Sequence, residues 1–248
     1  GLSLDFGGRA SNDTVLLQHT ARYSAALRVV LGGELRREQV VSRPFYHTDA
    51  ALVTDFTRLF GNLEWRFARD LVLNAGGLYE KSNVQDDSFA PRVMVNWHPA
   101  AGHTLRYGVS RAYRPPSTFE QFGDLRYALN GVALQAITVA RGQVQSESLI
   151  ARELGYLGEF SNVGASLDVR AFQEQIDGFV RRQKYPLPPG TTKFPSNPWD
   201  YVNHENFAIQ GLEYQLKVRP WRDAQLIFGQ AFIDIGSVDA GTALAAPK

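Results

Sequence analysis

Apolar and polar residues alternate with period two along most of the chain, the spacing of strands and not of helices. In 103–113, Leu105, Tyr107 and Val109 share one face, and Thr104, Arg106, Gly108 and Ser110 share the other. In 91–98, Val93, Val95 and Trp97 oppose Arg92, Met94, Asn96 and His98. In 211–219, Leu212, Tyr214, Leu216 and Val218 oppose Glu213, Gln215, Lys217 and Arg219. In 162–171, Val163, Ala165, Leu167, Val169 and Ala171 oppose Gly164, Ser166, Asp168 and Arg170. Segments 13–21, 26–38, 56–67, 71–81, 152–160 and 225–235 read as strands too, with a short one at 2–6. Segment 71–81 is less clean, since Val72 and Leu78 fall with Asn74 and Glu80. The pattern predicts about ten or eleven strands and no amphipathic helix.

The connections alternate in length. Short ones are expected at 68–70, 99–102, 161–162 and 220–223. Long ones are expected at 39–55, 82–88, 114–150 and 178–205. An up-and-down meander with short turns at one end and long loops at the other has this property, and transmembrane β-barrels show that asymmetry. Several segments also reach the 9–11 residues or so that a membrane-crossing strand needs.

The two faces differ in chemistry. Arg28, Glu34, Arg36 and Glu38 share one face of a single strand. Such a face cannot be a dry core, because buried unpaired charge is too costly. It meets water or a polar plug, and the apolar face is left for lipid. Trp65, Phe67, Trp97, Tyr113, Phe160 and Trp221 fall near strand ends, as interfacial aromatics do. The alternative is a soluble antiparallel sheet with its apolar face on a core and its polar face in water.

Composition narrows the function. Lys+Arg is 26 against Asp+Glu 25 in 248 residues, a net charge of +1. That balance argues against a nucleic-acid binder. Cysteine is absent, which removes disulfides, thiol nucleophiles and Cys-ligated metals. No apolar run approaches the length of a membrane-spanning helix. The start Gly-Leu-Ser-Leu-Asp-Phe lacks the basic end and apolar core of a signal peptide, so the chain reads as non-exported or as a piece of a larger protein. His19, His47, His98, His103 and His204 form no metal-ligand spacing, and nucleophile-elbow and phosphate-loop motifs are missing. No enzyme activity, cofactor or metal is therefore expected.

Several segments taken in order carry a resemblance. They are Asn74-Ala-Gly-Gly-Leu-Tyr-Glu80, Phe89-Ala-Pro-Arg92, and Ser110-Arg-Ala-Tyr-Arg-Pro-Pro-Ser117. Downstream follow Glu153-Leu-Gly-Tyr156, Leu167-Asp-Val-Arg-Ala-Phe172 and Ile209-Gln-Gly-Leu-Glu-Tyr214. Together they resemble the barrel of a TonB-dependent outer-membrane receptor. The resemblance implies an all-β, antiparallel up-and-down transmembrane β-barrel, of whose 22 strands about 10–11 are here. It implies one partial barrel domain over 1–248, with the plug and the C-terminal strands absent. It implies import of a ferric siderophore or another small nutrient across the outer membrane of a Gram-negative bacterium, with energy from the TonB complex through the missing plug. Outer-membrane lipid and lipopolysaccharide would surround the wall.

Long loops carry function more often than strands. The expected loop 114–150 holds Arg114, Arg126, Tyr127 and Arg141. The expected loop 178–205 holds Arg181, Arg182, Trp199, Tyr201 and His204, with Lys184 and Tyr185 between them. Cations mixed with aromatics suit an anionic or aromatic siderophore shell, so these are the candidate ligand residues. The same composition also suits loops that merely cover the barrel or bind lipopolysaccharide phosphates. Two rivals remain at this point: a passive porin-like barrel whose loops fold inward, and a soluble β-rich binding module.

Overall fold

The computed structural model describes residues 7–129, 132–186 and 197–237. The strand expected at 2–6 lies outside them. The strands are β1 (Arg9–Arg22), β2 (Leu27–Val41), β3 (Leu52–Trp65), β4 (Leu71–Ser82), β5 (Ser88–Ala100), β6 (His103–Arg114), β7 (Asp124–Leu129), β8 (Val132–Val139), β9 (Glu147–Phe160), β10 (Ala165–Lys184), β11 (Trp199–Trp221) and β12 (Ala224–Ser237). Two short helices, α1 (Arg43–Tyr46) and α2 (Thr118–Phe122), lie in the connections. Ten strands form an antiparallel meander, β1 to β6 and then β9 to β12, each beside its predecessor. The β7–β8 hairpin sits inside the β6–β9 connection and meets β11 through a parallel pairing of Thr138 with Trp199.

Register fixes the two faces. Glu34 stands beside Arg58, and Arg58 beside Glu80. Arg106, Gly155, Arg170 and Glu213 form another such row. This inner face carries ion pairs. Arg58 bridges Glu34, at 2.8 Å, and Glu80. Arg170 bridges Glu153 and Glu213, each at 3.1 Å. The opposite face leaves Val15, Leu17, Leu31, Leu35, Leu59, Val93, Leu154, Leu212 and Phe232 exposed. Among the described residues the buried apolar ones are Phe56, Ala136, Val144 and Val180. They form no layer beneath the sheet. An uncovered apolar face this wide far exceeds the roughly few hundred Å² usual for a soluble monomer. That disposes of the soluble-sheet alternative.

Aromatic residues gather at the short-turn end: Tyr23, Trp65, Phe67, Trp97, Phe160 and Trp221, all exposed. Tyr113 lies at the other end, with Phe89. The hydrogen-bond row through Trp65 passes Leu73, Val95, Tyr107, Leu154, Ala171 and Leu212. On those strands the short-turn aromatics fall progressively further along: Trp97 is two positions past Val95, Phe160 six past Leu154, and Trp221 nine past Leu212. Aromatics held in one plane thus slip about 1 to 1.5 residues per strand. At roughly 3.3 Å per residue and 4.8 Å between strands, this is a tilt of about 35–45°, the range of membrane barrels.

The strands run longer than expected, almost entirely at the long-loop end. β3 starts at Leu52 rather than at 56, and β9 at Glu147 rather than at 152. β10 and β11 continue to Lys184 and from Trp199, so most of the loop expected at 178–205 is a two-stranded arm. A bulge at Asp177 and Gly178, the latter at φ 70°, bends the pair without ending it. Beyond the apolar band polar and apolar residues fall on both faces, as in Phe179-Val-Arg-Arg-Gln-Lys184 and Trp199-Asp-Tyr-Val202, so the alternation that reveals strands disappears.

Val93 lies outward on β5 between Phe89 and Trp97. Val93→Arg is expected to cost about 2–4 kcal/mol in lipid. Asn74→Arg, inward beside Glu64, should cost under about 1 kcal/mol. Urea unfolding of the intact protein in phospholipid vesicles measures both, and equal costs would mean that the faces are exchanged.

Candidate functional site

Four long connections meet at one end of the sheet. In the β6–β9 connection, Pro115 and Pro116 stop β6, since proline cannot donate to a ladder. Ser117 then caps α2. Its hydroxyl accepts from the Glu120 N–H at 3.2 Å, and the Glu120 carboxylate accepts from the Ser117 N–H at 2.7 Å. At Gly123, which ends the helix, a Cβ would lie 2.5 Å from the Phe119 carbonyl oxygen. The capped turn presents Phe119. Its ring meets Phe45 at 5.8 Å and Tyr46 at 6.2 Å, both on α1 of the β2–β3 connection, and Tyr201 of β11 at 6.1 Å. Burial pushes the Tyr46 phenol up. Gln121 donates to the Val84 carbonyl and Gln85 to the Pro116 carbonyl, each at 3.3 Å, which ties in the β4–β5 connection. Ser146 closes the set on Gln85 at 2.8 Å.

The candidate cations separate into two groups. Arg114 forks onto Glu147 at 2.7 and 2.8 Å and reaches Glu120 at 3.1 Å. Glu147 also accepts from the Val180 N–H at 2.6 Å. Arg114 is therefore a strut joining β6, α2, β9 and β10. Arg126 forks onto Asp124 at 2.6 and 2.7 Å. Arg141 donates to Asp200 through Nε at 2.5 Å and through its backbone N–H at 3.1 Å, and its guanidinium lies 4.5 Å over the Tyr185 ring. Asp200 is 1% exposed, and its bond holds the Arg141 guanidinium above its ordinary value. Burial, then the Asp200 charge, pushes the Tyr185 phenol up. Arg181 pairs with Glu205, and His204 lies 3.6 Å from the same carboxylate.

Arg182 differs. It and Lys184 each lie 5.2 Å over the Trp199 ring. Arg182 stands opposite Tyr201 and Lys184 opposite Trp199 in the register. The structure thus brings Arg182, Trp199 and Tyr201 together, and sets Arg126 and Arg141 around Tyr185. Tyr127, next to Arg126 on β7, stands exposed. Arg181, Arg182, Trp199, Tyr201 and His204 are strand residues of the arm rather than loop residues, and Arg126 and Tyr127 belong to a hairpin. Between α1, α2 and the hairpin lies a cavity of about 380 Å³, lined by Tyr46, Gln121, Asp124 and Arg141 among others.

The chain matches the family described as TonB dependent receptor-like, beta-barrel, over residues 2–248. It belongs to that family. The TonB-dependent receptor barrels are receptors and transporters of the Gram-negative outer membrane, not a family of enzymes. Among solved structures, the siderophore receptor PirA from Pseudomonas aeruginosa is similar, with a TM-score of 0.80, 14% identity, 93% of this chain covered and 44% of that one. A mutant of the ferric enterobactin receptor PfeA from the same organism gives 0.75, 14%, 91% and 36%. The hemophore receptor HasR of Serratia marcescens, solved as a double mutant with its hemophore HasA and heme, gives 0.72, 17%, 91% and 42%. At such identities the likeness is one of fold. The chain spans less than half the length of these receptors. No curated protein sequence matches it.

The site just described sits at the long-loop end of the sheet, the end that receptor barrels turn outward. Sequence reasoning missed Phe119, Asp200 and the carboxylates that neutralise four of the candidate arginines. The capping signature Ser117-Thr-Phe-Glu120 was a legible trace of α2.

Two outcomes follow for the receptor barrel. Arg114→Ala leaves Glu120 and Glu147 without their shared cation. Proteolysis within 115–146 should quicken about tenfold, the effect of roughly 1–2 kcal/mol of local stability, and Arg114→Lys should restore only part of it because an ammonium cannot fork. Phe119→Ala should raise hydrogen exchange in α1 and in the arm together, while exchange in β4 and β5 stays as it was. Exchange confined to 115–123 would show that the connections are independent.

Proposed function

We propose that this chain is part of the barrel wall of an outer-membrane receptor in a Gram-negative bacterium, and that the receptor imports a ferric siderophore or a similar scarce nutrient. One partial barrel domain occupies 1–248, and the energy comes from the TonB complex through a plug that is not part of these residues. The apolar band meets outer-membrane lipid and lipopolysaccharide. The chain is a wall and a mouth rather than an enzyme.

The observation that carries this reading is the convergence of four long connections, bearing cations and aromatic rings, over a polar inner face. An iron chelate is too large and too polar to cross lipid. It needs a water-lined passage and a mouth that offers charge and flat apolar surface together. The names of the similar receptors point the same way: two take siderophores, and one was solved with a hemophore and heme.

The test is uptake of radioiron by the source bacterium, with and without the gene that encodes this chain. Loss of uptake for one chelate on deletion, and its loss in wild-type cells on adding a proton uncoupler, is the expected result. Uptake that survives the uncoupler would make the barrel a passive pore.

A further inference from the structure

We propose that Arg111 on β6 and Arg152 on β9 form a clamp on the lipid-facing side of the wall for a phosphate group of lipopolysaccharide, so that one lipid is held there while its neighbours exchange. The clamp rests on the apolar face meeting the outer membrane and is independent of what the receptor imports.

Strand parity puts both residues on the apolar face. Arg111 follows Tyr107 and Val109 at every second position, and Arg152 precedes Leu154 in the same way. All five side chains are exposed. Register makes the two arginines neighbours. Arg111 stands opposite Ile150 and Arg152 opposite Val109, a diagonal pair roughly 7–8 Å apart. Each lies eight positions from the short-turn end of its strand, His103 for β6 and Phe160 for β9. On strands tilted about 35–45° this is a height of about 20 Å. The apolar band of a membrane barrel is about 25 Å tall, so the pair sits just under its upper edge. Tyr113, two positions above Arg111, marks that interface. Long arginine stems carry the guanidinium groups up to headgroup level.

Neither guanidinium forms an ion pair among the described residues. Arg111 lies 4.8 Å over the Tyr113 ring, and Arg152 donates to the Gln173 side chain at 3.3 Å. A ring and an amide leave both charges uncancelled. The nearest carboxylates on this face are Asp177, which accepts from Gln175 at 3.0 Å, and Asp234, which accepts from Gln210 at 3.2 Å. In the row through Arg152, Gln173 and Gln210 stand between it and Asp234. Another arginine on this face is treated differently: Arg37 has its fork filled by Asp55 at 2.7 and 3.1 Å. Unpaired cations at the edge of lipid are costly, and two side by side repel each other. A phosphate bound between them relieves both terms, and guanidinium forks match its oxygens. Below the pair, Tyr107, Val109 and Leu154 offer acyl chains an apolar seat. Phospholipid headgroups also carry phosphate, but the height of the pair places it in the outward leaflet, where lipopolysaccharide lies.

The experiment uses the full-length receptor in neutral detergent and titrates it with three probes. These are purified lipopolysaccharide, the same lipopolysaccharide stripped of its phosphates, and phosphatidylglycerol. Native mass spectrometry counts the lipid retained. Wild type is expected to hold one intact lipopolysaccharide more tightly than either of the other two. Arg111→Gln with Arg152→Gln should weaken that binding about tenfold and leave the stripped form unchanged. Arg111→Lys with Arg152→Lys should restore part of it, since the charge stays and the fork is lost. Arg92→Gln with Lys217→Gln removes two cations from the inner face and should leave all three probes unchanged. Because both clamp residues are exposed, their variants should keep the heat-induced gel shift of the wild type.

Equal retention of lipopolysaccharide by wild type and the glutamine variant overturns the clamp, and so does an equal loss in the inner-face variant. Phosphatidylglycerol that binds the pair as tightly overturns it in favour of a phospholipid headgroup. In each case the import reading stands. Wild type that retains no lipid, together with equal costs for Val93→Arg and Asn74→Arg, would mean that the apolar face is not the lipid face, and both readings fail.

Discussion

Backbone hydrogen bonding in an apolar solvent is the constraint on which the rest depends. Lipid offers no partner to a peptide N–H or C=O, so a spanning segment must satisfy every such group from within protein. A strand does this only when paired on both sides. Antiparallel pairing of chain neighbours is the simplest way to arrange it, and here it yields ten strands in sequence order. Once the strands are paired, the pleat puts alternate side chains on opposite faces. Leu31 and Leu59 then have no alternative but the outside, nor Glu34 and Arg58 but the inside.

The inner face needs a different solution, because a wall of arginine and glutamate must be stable with and without whatever fills the lumen. The structure places two inner arginines between glutamates on flanking strands, Arg58 between Glu34 and Glu80, and Arg170 between Glu153 and Glu213. These pairs are half-buried, and what the attraction gains is largely offset by the desolvation of its charges. What they supply is definition. A guanidinium shared across three strands ties their register together on the inner face.

How much of this was legible in the sequence depended on distance from the apolar band. Strand ends at the short turns agree closely with the alternation: β4 begins at Leu71, β6 at His103, and β9 ends at Phe160, all as expected. At the other end the same reading fell short on every strand. Past the band, lipid no longer demands one apolar face, so 179–184 and 199–205 pair without alternating. The candidate ligand residues were found by type, since arginine and aromatic residues are conspicuous. Their partners were not. Asp200 sits 59 positions from Arg141, and no local spacing foretells that contact. Only Ser117 and Glu120, three apart, carried their own evidence.

Phe119 has a consequence for how receptors of this kind can be re-engineered or can diverge. Its ring is shared by α1 and β11, and its helix is tied to the β4–β5 connection. A graft that moved 115–146 alone into another scaffold would carry half of three interfaces and leave their complements behind. The packing at this end is therefore modular only as a set: the connections recombine together, or they change one side chain at a time.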